Sequence, residues 1–447
     1  MDVLVIGAGL SGLAAAWRLR QAGHQVSLIE RRDPADGHPG LPADTLHSND
    51  QHVIGWMNEL GLGESLLPLR PVQLCQVRRG KTSTIEPQHL LGVAAIPGVR
   101  KRHAARLVRW SRLMARYLPL LDPTAPERAA DLDFRSVSDF AGLYFGQSVL
   151  RRWVAPEVED FFSGDAAELS RVTALLLWRS RATGKRGAAY PGLPRQGLAP
   201  LFRAASQALP IRHHGAALRV EEGGGAGFEV ACDGLAVSGG SLHADAVLVA
   251  TSPAEAGRLG ASILEAAERD FFSAVRERPG IVLTAELQRA PSGMPERVRI
   301  PAEEGFSAES VIFEPGLPGR RLDGVAGLAT IRARKAFAAS ALQMPGDAVE
   351  KCLLADLKIL YPALVGSLGE CRLRRSPAQT PAFDVGAYRA LQRFRRVQED
   401  RRSLGRRLYF AGDYLISPSI EGRVISGFRA AADLIADAGG AASEPRS

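Results

Sequence analysis

The amino-terminal end of the chain places a glycine-rich turn directly after an apolar run, and this pattern constrains the fold more than any other. Residues 3–6 are typical of a buried parallel strand, and Gly7, Gly9 and Gly12 follow at the spacing GxGxxG. The first glycine permits a tight turn, the second lets a pyrophosphate approach the backbone, and the third lets the next helix pack closely on the strand. The helix expected over residues 11–22 would direct its first N–H groups at the phosphates.

The residues after this helix complete the pattern. A second apolar strand over residues 26–29 ends at Glu30, about 20 residues after the glycines. A carboxylate at that point accepts hydrogen bonds from ribose hydroxyls and repels a 2′-phosphate. A glycine motif alone would leave an ordinary glycine-rich turn as an alternative. Strand, helix, second strand and acidic residue together predict a Rossmann-type dinucleotide-binding unit of the α/β class.

Length and composition narrow the class of protein. A chain of 447 residues favours two intertwined domains, and 46% hydrophobic with 23% charged residues is typical of globular proteins. The net charge of +8 is spread along the chain without a nucleic-acid motif, so we expect a small-molecule substrate and no nucleic-acid partner. No cysteine or histidine spacing indicates a metal site or a disulfide framework, and we expect a reducing, cytoplasmic location. The scattered cysteines are Cys75, Cys232, Cys352 and Cys371.

The remaining segments alternate between helical and strand patterns. Residues 99–190 are mostly helical, and residues 211–250 are hairpin-like and end in a buried strand over 246–250. Further strands are expected within residues 280–335, and a helix over 347–359. Near the carboxyl end, a short strand, a glycine-acid pair and a last helix follow one another within residues 408–436.

Three further segments carry a resemblance to a known family, namely residues 136–170, 191–209 and 380–394. Together with both chain ends, they resemble the flavoprotein superfamily of amine oxidases, protoporphyrinogen oxidases and phytoene-type desaturases. The resemblance covers nearly the whole chain and is closest to the protoporphyrinogen-oxidase branch. It implies FAD, bound non-covalently because no cysteine lies where some members link the flavin.

The resemblance also implies a domain arrangement. It predicts a Rossmann-type, glutathione-reductase-like FAD domain that is discontinuous in sequence, with an inserted α+β substrate domain. The FAD domain would consist of residues 1–80, 195–260 and 385–440, and the substrate domain of residues 81–194 and 261–384. We expect residues 441–447 to be a disordered tail.

The family's cofactor contacts can be transferred to matching positions of this chain. The start of the last helix is expected to face the N1–O2 edge of the flavin, where a helix N-terminus stabilises the negative charge of the reduced ring. The glycine-acid pair is expected at the pyrophosphate and ribityl chain, and other positions at the adenosine half. The implied cofactor-binding residues are Gly7, Gly9, Leu10, Ser11, Gly12, Glu30, Arg32, Ala217, Gly412, Asp413, Ile420 and Gly422.

Three positions depart from the family pattern. Asp36 stands where the family has a glycine near the phosphates, which is unfavourable unless the loop is rearranged. Arg423 replaces a small residue; either it reaches the flavin, a phosphate or an anionic substrate, or it is a solvated surface arginine. Ser419 stands where amine oxidases carry an aromatic-cage tyrosine, which disfavours a typical amine-oxidase cage.

The expected reaction follows from the cofactor. We expect an FAD-dependent oxidoreductase that abstracts hydride from a fairly apolar small molecule and forms C=C or C=N. A flavin amine oxidase is the enzymatic alternative, and a non-redox or degenerate FAD-binding protein is the alternative from another class. No catalytic base is identified; Lys335 is a candidate for the side of the flavin N5 atom, and a solvent-facing lysine is the alternative.

Residues 99–121 combine an arginine-rich face with an apolar face. On a helix, Leu107, Trp110, Met114 and Tyr117 would lie together. A basic amphipathic helix of this kind predicts peripheral contact with an anionic membrane. A helix packed into the core with a solvated arginine face is the alternative.

Overall fold

The structure is a computed structural model that describes residues 1–31, 46–66, 69–70, 73–87, 90–182, 190–191, 198–209, 211–224, 227–234, 240–289, 293–314 and 326–441. Its strands are β1 (Asp2–Ile6), β2 (Gln25–Glu30), β3 (Leu69–Arg70), β4 (Leu74–Arg78), β5 (Lys81–Thr84), β6 (Tyr190–Pro191), β7 (Ile211–His214), β8 (Ala216–Glu222), β9 (Phe228–Asp233), β10 (Ser241–Ala244), β11 (Ala246–Val249), β12 (Glu277–Leu287), β13 (Arg297–Arg299), β14 (Ala308–Phe313), β15 (Gly327–Ala333), β16 (Leu368–Pro381) and β17 (Leu408–Phe410). Its helices are α1 (Leu10–Gln21), α2 (Gln51–Glu59), α3 (Leu90–Ala95), α4 (Lys101–Ala104), α5 (Trp110–Tyr117), α6 (Val137–Tyr144), α7 (Gln147–Val149), α8 (Ala155–Phe162), α9 (Arg171–Ala182), α10 (Ala199–Gln207), α11 (Pro253–Leu259), α12 (Ala266–Ala274), α13 (Lys335–Ala341), α14 (Gly346–Leu360), α15 (Ala387–Ser403) and α16 (Ile420–Ala441).

A parallel five-stranded sheet, in the order β17-β11-β1-β2-β7, is the centre of one part of the molecule. Strand β1 is buried on both faces: Val3 and Val5 belong to one hydrophobic cluster, and Leu4 and Ile6 to another. The first cluster contains α1, α2, α10 and α16, and the second contains α11, α12, α15 and the three-stranded sheet β10-β9-β8. Burial on both faces explains the unbroken apolar sequence of β1, and the Rossmann-type α/β prediction is confirmed.

A seven-stranded sheet, in the order β16-β12-β15-β14-β13-β4-β5, is the centre of the other part. Its strands are antiparallel except where β13 pairs with β4. Side chains alternate between its faces. Val298 and Ile331 pack with α14, whereas Arg297, Arg299 and Arg332 pair with Asp160 of α8 on the opposite face. A separate cluster fills the helical region between residues 90 and 182.

The division into an FAD domain and a substrate domain remains a prediction. Two of its predicted boundaries do not coincide with the borders between the two sheets and the helices packed on them. The β4–β5 hairpin joins the seven-stranded sheet through β13, so the boundary placed at residue 80 falls inside a hairpin. Phe271 and Phe272 of α12 pack beneath the parallel sheet, although residues 261–384 are assigned to the substrate side. Of the tail expected over residues 441–447, only residue 441, at the end of α16, lies within the described residues.

The helix expected over residues 99–121 is broken. Helix α4, a 3-10 turn at Ala105–Arg109, α5 and a second 3-10 turn follow one another. Leu107 and Tyr117 are buried, and Trp110 packs edge-on against Trp178 with ring centroids 4.3 Å apart. The predicted apolar face therefore contributes to the core, as the core-packed alternative requires. Among the described helices, none has the length and apolar character needed to cross a membrane.

A buried ion pair joins two helices beneath the parallel sheet. Arg401 of α15 donates to the carboxylate of Glu268 on α12, which also accepts a hydrogen bond from Gln398. Arg401 donates a further hydrogen bond to the carbonyl of Ile263 at 3.0 Å. Burial raises the pKa of Glu268, and Arg401 partly offsets this increase. The pair fixes α15 against α12, and α15 leads into β17 at the edge of the sheet.

Replacing Arg401 with methionine should lower the free energy of unfolding by about 3–5 kcal/mol, because Glu268 then stays buried without its cation. The control is Arg372→Met, whose ion pair with Glu370 is exposed and should contribute little. Chemical denaturation of both variants measures the difference. Equal losses would show that the buried pair does not support the fold.

Candidate active site

The predicted cofactor residues converge on one large cavity at the carboxyl ends of the parallel strands. This cavity has a volume of about 1570 Å³ and extends from the glycine turn after β1 to the seven-stranded sheet. Arg32 and Asp36 lie outside the described residues. Gly12 lies beside the cavity in α1 and does not line it. The predicted residues that line it are Gly7, Gly9, Leu10, Ser11, Glu30, Ala217, Gly412, Asp413, Ile420 and Gly422.

The three glycines of the turn have different environments. Gly7 has φ +103°, and a Cβ there would lie 2.7 Å from the carbonyl oxygen of Ala250. A Cβ on Gly12 would lie 1.9 Å from the carbonyl oxygen of Gly7, so Gly12 allows α1 to pack on the turn. At Gly9, by contrast, no atom of the described residues lies within 4 Å of an added Cβ. The space beside Gly9 is open to the cavity, as a site for a pyrophosphate at the start of α1 requires.

The sequence analysis assigned Glu30 to the ribose hydroxyls, but in the structure Glu30 also stabilises the glycine turn. Its carboxylate accepts a hydrogen bond from the backbone N–H of Ala8 at 2.9 Å. Glu30 therefore holds the glycine turn while it lines the cavity. Ala217 lies near the start of β8, close to Glu30, because β7 pairs with β2 immediately before it.

The glycine-acid pair after β17 is held by α16. The N–H of Gly412 donates to the hydroxyl of Ser426 at 2.9 Å. The Asp413 carboxylate accepts hydrogen bonds from Nε and Nη2 of Arg423 at 3.1 and 2.9 Å. Arg423 also lines the cavity, and its side chain is only 21% exposed. The alternative of a solvated surface arginine is therefore wrong, and Arg423 partly neutralises Asp413.

The beginning of α16 is fixed by side chains on both sides. Ser419 accepts a hydrogen bond from the N–H of Gly422 at 2.9 Å and so caps the helix. This is the residue that stands where amine oxidases carry the tyrosine of the aromatic cage. Glu421 accepts hydrogen bonds from the N–H groups of His52 and Val53 at 3.0 and 2.9 Å, at the start of α2. Its contact with His52 Nδ1 raises the pKa of that imidazole. These contacts hold the N-terminus of α16 at the cavity.

The other end of the cavity contains charged residues that the sequence analysis missed. Asp160 of α8 is buried, and the guanidinium of Arg297 contacts its two oxygens at 3.1 and 3.2 Å. Arg299 and Arg332 approach the same carboxylate at 3.4 and 3.8 Å. Burial alone would raise the pKa of Asp160, but these three cations hold it well below its usual range. The sequence signal was the alternation of arginine with an apolar residue in β13.

Further charges surround this group. Glu157 accepts hydrogen bonds from Trp178 at 3.1 Å and from Arg181. Glu309 lies 3.7 Å from Arg332, and its burial raises its pKa to about 8, an increase that Arg332 only partly offsets. Lys335, the candidate for the flavin N5 side, pairs with Glu168 and does not line the cavity. The solvent-side alternative therefore fits Lys335 better.

Comparison with known proteins identifies the protein family to which this chain belongs. Residues 2–307, more than half of the chain, match the family described as FAD dependent oxidoreductase, and the chain belongs to this family. It is 29% identical over 276 residues to a protein assigned as a flavin-containing monoamine oxidase, AofH, of Mycobacterium tuberculosis. That match spans only 57% of the length of each protein.

Two solved structures show the same fold over the whole chain. A protein assigned as a protoporphyrinogen oxidase from Exiguobacterium superposes with a TM-score of 0.71 at 14% identity, covering 98% of this chain and 99% of the other. Cyclohexylamine oxidase from Brevibacterium oxydans superposes with a TM-score of 0.72 at 17% identity and the same coverage. The resemblance in fold to amine oxidases and protoporphyrinogen oxidases is thereby confirmed, and FAD is the cofactor of the family that residues 2–307 match.

The pH dependence of stability tests the raised pKa of Glu309 in the charged group around Asp160. Because burial raises its pKa, folding keeps Glu309 protonated between its unfolded pKa near 4.5 and about 8. The folded state then binds more protons than the unfolded state, so Glu309 lowers stability as the pH rises through this window. Glu309→Gln should become more stable relative to the wild type from pH 5 to pH 9, by about 1.4 kcal/mol for each unit of raised pKa.

Denaturant titration of both proteins at several pH values measures this difference. Thr330→Val, on the neighbouring strand β15, removes a buried hydroxyl that does not titrate and is the control. A difference between wild type and Glu309→Gln that stays constant with pH would contradict the raised pKa.

Proposed function

We propose that this protein is an FAD-dependent oxidase or dehydrogenase that removes hydride from a small-molecule substrate to form C=C or C=N. One observation carries the proposal: the glycine turn, Glu30 and the start of α16 line the same cavity that continues to the seven-stranded sheet. The space beside Gly9 and the two helix N-termini fit a dinucleotide with a negatively charged pyrophosphate. When bound, FAD supplies the acceptor for two electrons and a proton.

The side chains at the cavity have separate roles under this proposal. Glu30 binds ribose hydroxyls and fixes the turn at Ala8. The N-terminus of α16, capped by Ser419, provides N–H groups and a partial positive charge where negative charge develops during reduction. Arg423, oriented by Asp413, adds a cation at the same wall. We propose that the cofactor is non-covalent, because the four free cysteines lie outside the set of cavity-lining residues.

An amine oxidase is the second candidate, and the similarity to the protein assigned as a monoamine oxidase favours it. Ser419 at the position of the aromatic cage argues against it. Anaerobic mixing of the purified protein with amines and with neutral compounds that carry a saturated C–C bond beside a C=C bond, followed by absorbance, separates the two. Bleaching by amines alone would support the amine oxidase, whereas a flavin that no compound reduces would support a non-redox FAD-binding protein.

The proposed function predicts that the purified protein contains FAD that is not covalently bound. The visible spectrum should show oxidised flavin that is released into the supernatant on denaturation.

Gly9→Ala should fold normally but bind FAD at least about tenfold more weakly, because its Cβ fills the space beside the helix start. Gly12→Ala should instead destabilise the fold by about 1–3 kcal/mol, because its Cβ meets a backbone oxygen.

Fluorescence titration of FAD and thermal denaturation of each variant measure these two effects separately. A colourless wild-type protein that FAD does not reconstitute would overturn the proposed function. A Gly9→Ala variant with unchanged FAD affinity would place the pyrophosphate elsewhere.

We also propose peripheral contact with the cytoplasmic face of a membrane through residues 99–121, together with Leu91 of the preceding helix α3. Although the predicted apolar face contributes to the core, Leu91 and Val108 are 81% and 71% exposed, and Arg102 and Arg106 are exposed in the same segment of the chain. Exposed apolar side chains next to cations favour binding at an anionic interface.

Vesicles of phosphatidylcholine with phosphatidylglycerol should therefore sediment the wild-type protein, and Leu91→Glu with Val108→Glu should abolish this sedimentation. Ile359→Glu, at another exposed apolar position on α14, is the control and should behave as the wild type. Equal sedimentation of all three proteins would exclude this surface.

A further inference from the structure

Tyr388, in the first turn of α15, brings a polar group to an apolar part of the cavity wall. The residue is only 1% exposed, and it lines the cavity together with Phe162, Leu176 and Leu177. All four residues belong to the hydrophobic cluster of the helical region. A hydroxyl among such side chains is costly to bury unless a hydrogen-bond partner satisfies it.

The hydroxyl of Tyr388 has no hydrogen-bond partner within the part of the chain that the structure describes. It is not enclosed by protein atoms either, in contrast to the hydroxyl of Tyr414, which is enclosed without a partner among the described residues. Because Tyr388 is otherwise buried, the open space that its hydroxyl meets is that of the cavity. The partner of this hydroxyl therefore belongs to the molecules that the cavity binds.

Neighbouring contacts hold the Tyr388 ring in this position. The buried carboxylate of Asp133 accepts three backbone hydrogen bonds at the start of α15, including one from the N–H of Tyr388 at 2.9 Å. The ring packs against Phe383 with ring centroids 5.5 Å apart. A side chain that is oriented before its ligand arrives loses little conformational entropy on binding.

The surroundings of the phenol also keep it protonated. Burial and the nearby carboxylate of Asp133 raise the pKa of Tyr388 well above its ordinary value. A protonated phenol donates a hydrogen bond to a lone pair. The group that satisfies this donor is an acceptor such as a carbonyl or ether oxygen.

We propose that Tyr388 is a substrate-binding residue whose hydroxyl donates a hydrogen bond to a carbonyl or ether oxygen of an otherwise apolar substrate. The inference rests on the proposed function and names its substrate class. The predicted cofactor residues Leu10, Ala217 and Ile420 belong to the two clusters beside the parallel sheet. Tyr388 belongs instead to the separate cluster of the helical region, which favours the substrate over the cofactor as the acceptor. One hydroxyl in an apolar wall orients a substrate and selects against an analogue without the acceptor.

Two probes of nearly the same shape test this hydrogen bond: acetophenone, and isopropenylbenzene, in which a methylene group replaces the ketone oxygen. Ligand-detected NMR titration of the FAD-loaded protein under anaerobic conditions measures both dissociation constants. Tyr388→Phe removes the hydroxyl but keeps the ring, so it should weaken ketone binding about three- to tenfold and change alkene binding by less than about twofold. An unchanged ratio of the two affinities would overturn the inference.

Tyr414→Phe is the matched control. It also removes a buried hydroxyl that has no partner among the described residues, but Tyr414 does not line the cavity. The ratio of ketone to alkene affinity should therefore stay as in the wild type. Thermal denaturation checks that both variants fold. An equal fall of the ratio in both variants would indicate an effect on packing and contradict the assignment to Tyr388.

The carbonyl stretch of bound acetophenone gives a signature that altered packing alone does not produce, because a hydrogen bond lowers its frequency. Infrared difference spectra should show a lower frequency in the wild type than in Tyr388→Phe. A wild-type frequency equal to that of acetophenone in a hydrocarbon solvent would contradict the inference even if the variant failed to fold.

The outcomes also separate the inference from the proposed function. Tyr388→Phe should bind FAD with the affinity of the wild type. Weaker FAD binding with an unchanged ketone preference would place the hydroxyl at the cofactor and contradict only the inference. A protein that binds no FAD, but whose ketone binding depends on Tyr388, would contradict only the oxidoreductase function, because the NMR titration does not require the flavin.

Discussion

The contact between the first and last helices is the constraint on which the rest of the site depends. Helix α1 approaches the turn so closely that Gly12 has no space for a Cβ, and α16 approaches α1 so closely that a Cβ on Gly427 would lie 2.2 Å from the carbonyl oxygen of Ser11. Two helix N-termini from opposite ends of the chain therefore line one cavity. A substitution at this crossing would move both positive helix ends together, so binding of the cofactor and folding of the chain are physically coupled.

The N-terminal half of this site could be predicted because its residues act through local backbone geometry. A strand, a turn with φ near +100° at Gly7 and a helix that needs Gly12 are all encoded within a few residues. Pairing of β2 beside β1 then places Glu30 at the same edge without further information. Even here one contact was missed, since the hydrogen bond from Ala8 to Glu30 forms only when the turn is folded.

The substrate side could not be predicted in the same way, because its chemistry depends on which face of a strand meets which partner. The alternation of Arg297, Val298 and Arg299 is visible in the sequence, but it does not reveal which side faces α14 and which faces α8. Asp160, which contacts these arginines, lies 137 residues from Arg297. The basic helix was likewise predicted as one continuous element, but a 3-10 turn at Ala105–Arg109 interrupts it just before Trp110, which packs against Trp178.

The two ends of the cavity differ in how their charged side chains are paired. Near the glycine-acid pair, Arg423 contacts Asp413 at 2.9 Å, and both residues lie within the last strand-turn-helix unit of the chain. At the sheet, the guanidiniums of Arg297, Arg299 and Arg332 all contact Asp160. The carboxylate lies on α8 and the arginines lie on β13 and β15, so this contact joins the helical region to the sheet. Removal of Asp160 would take away the charge that the three guanidiniums share, and the packing of α8 and the shape of this cavity wall therefore depend on one buried carboxylate.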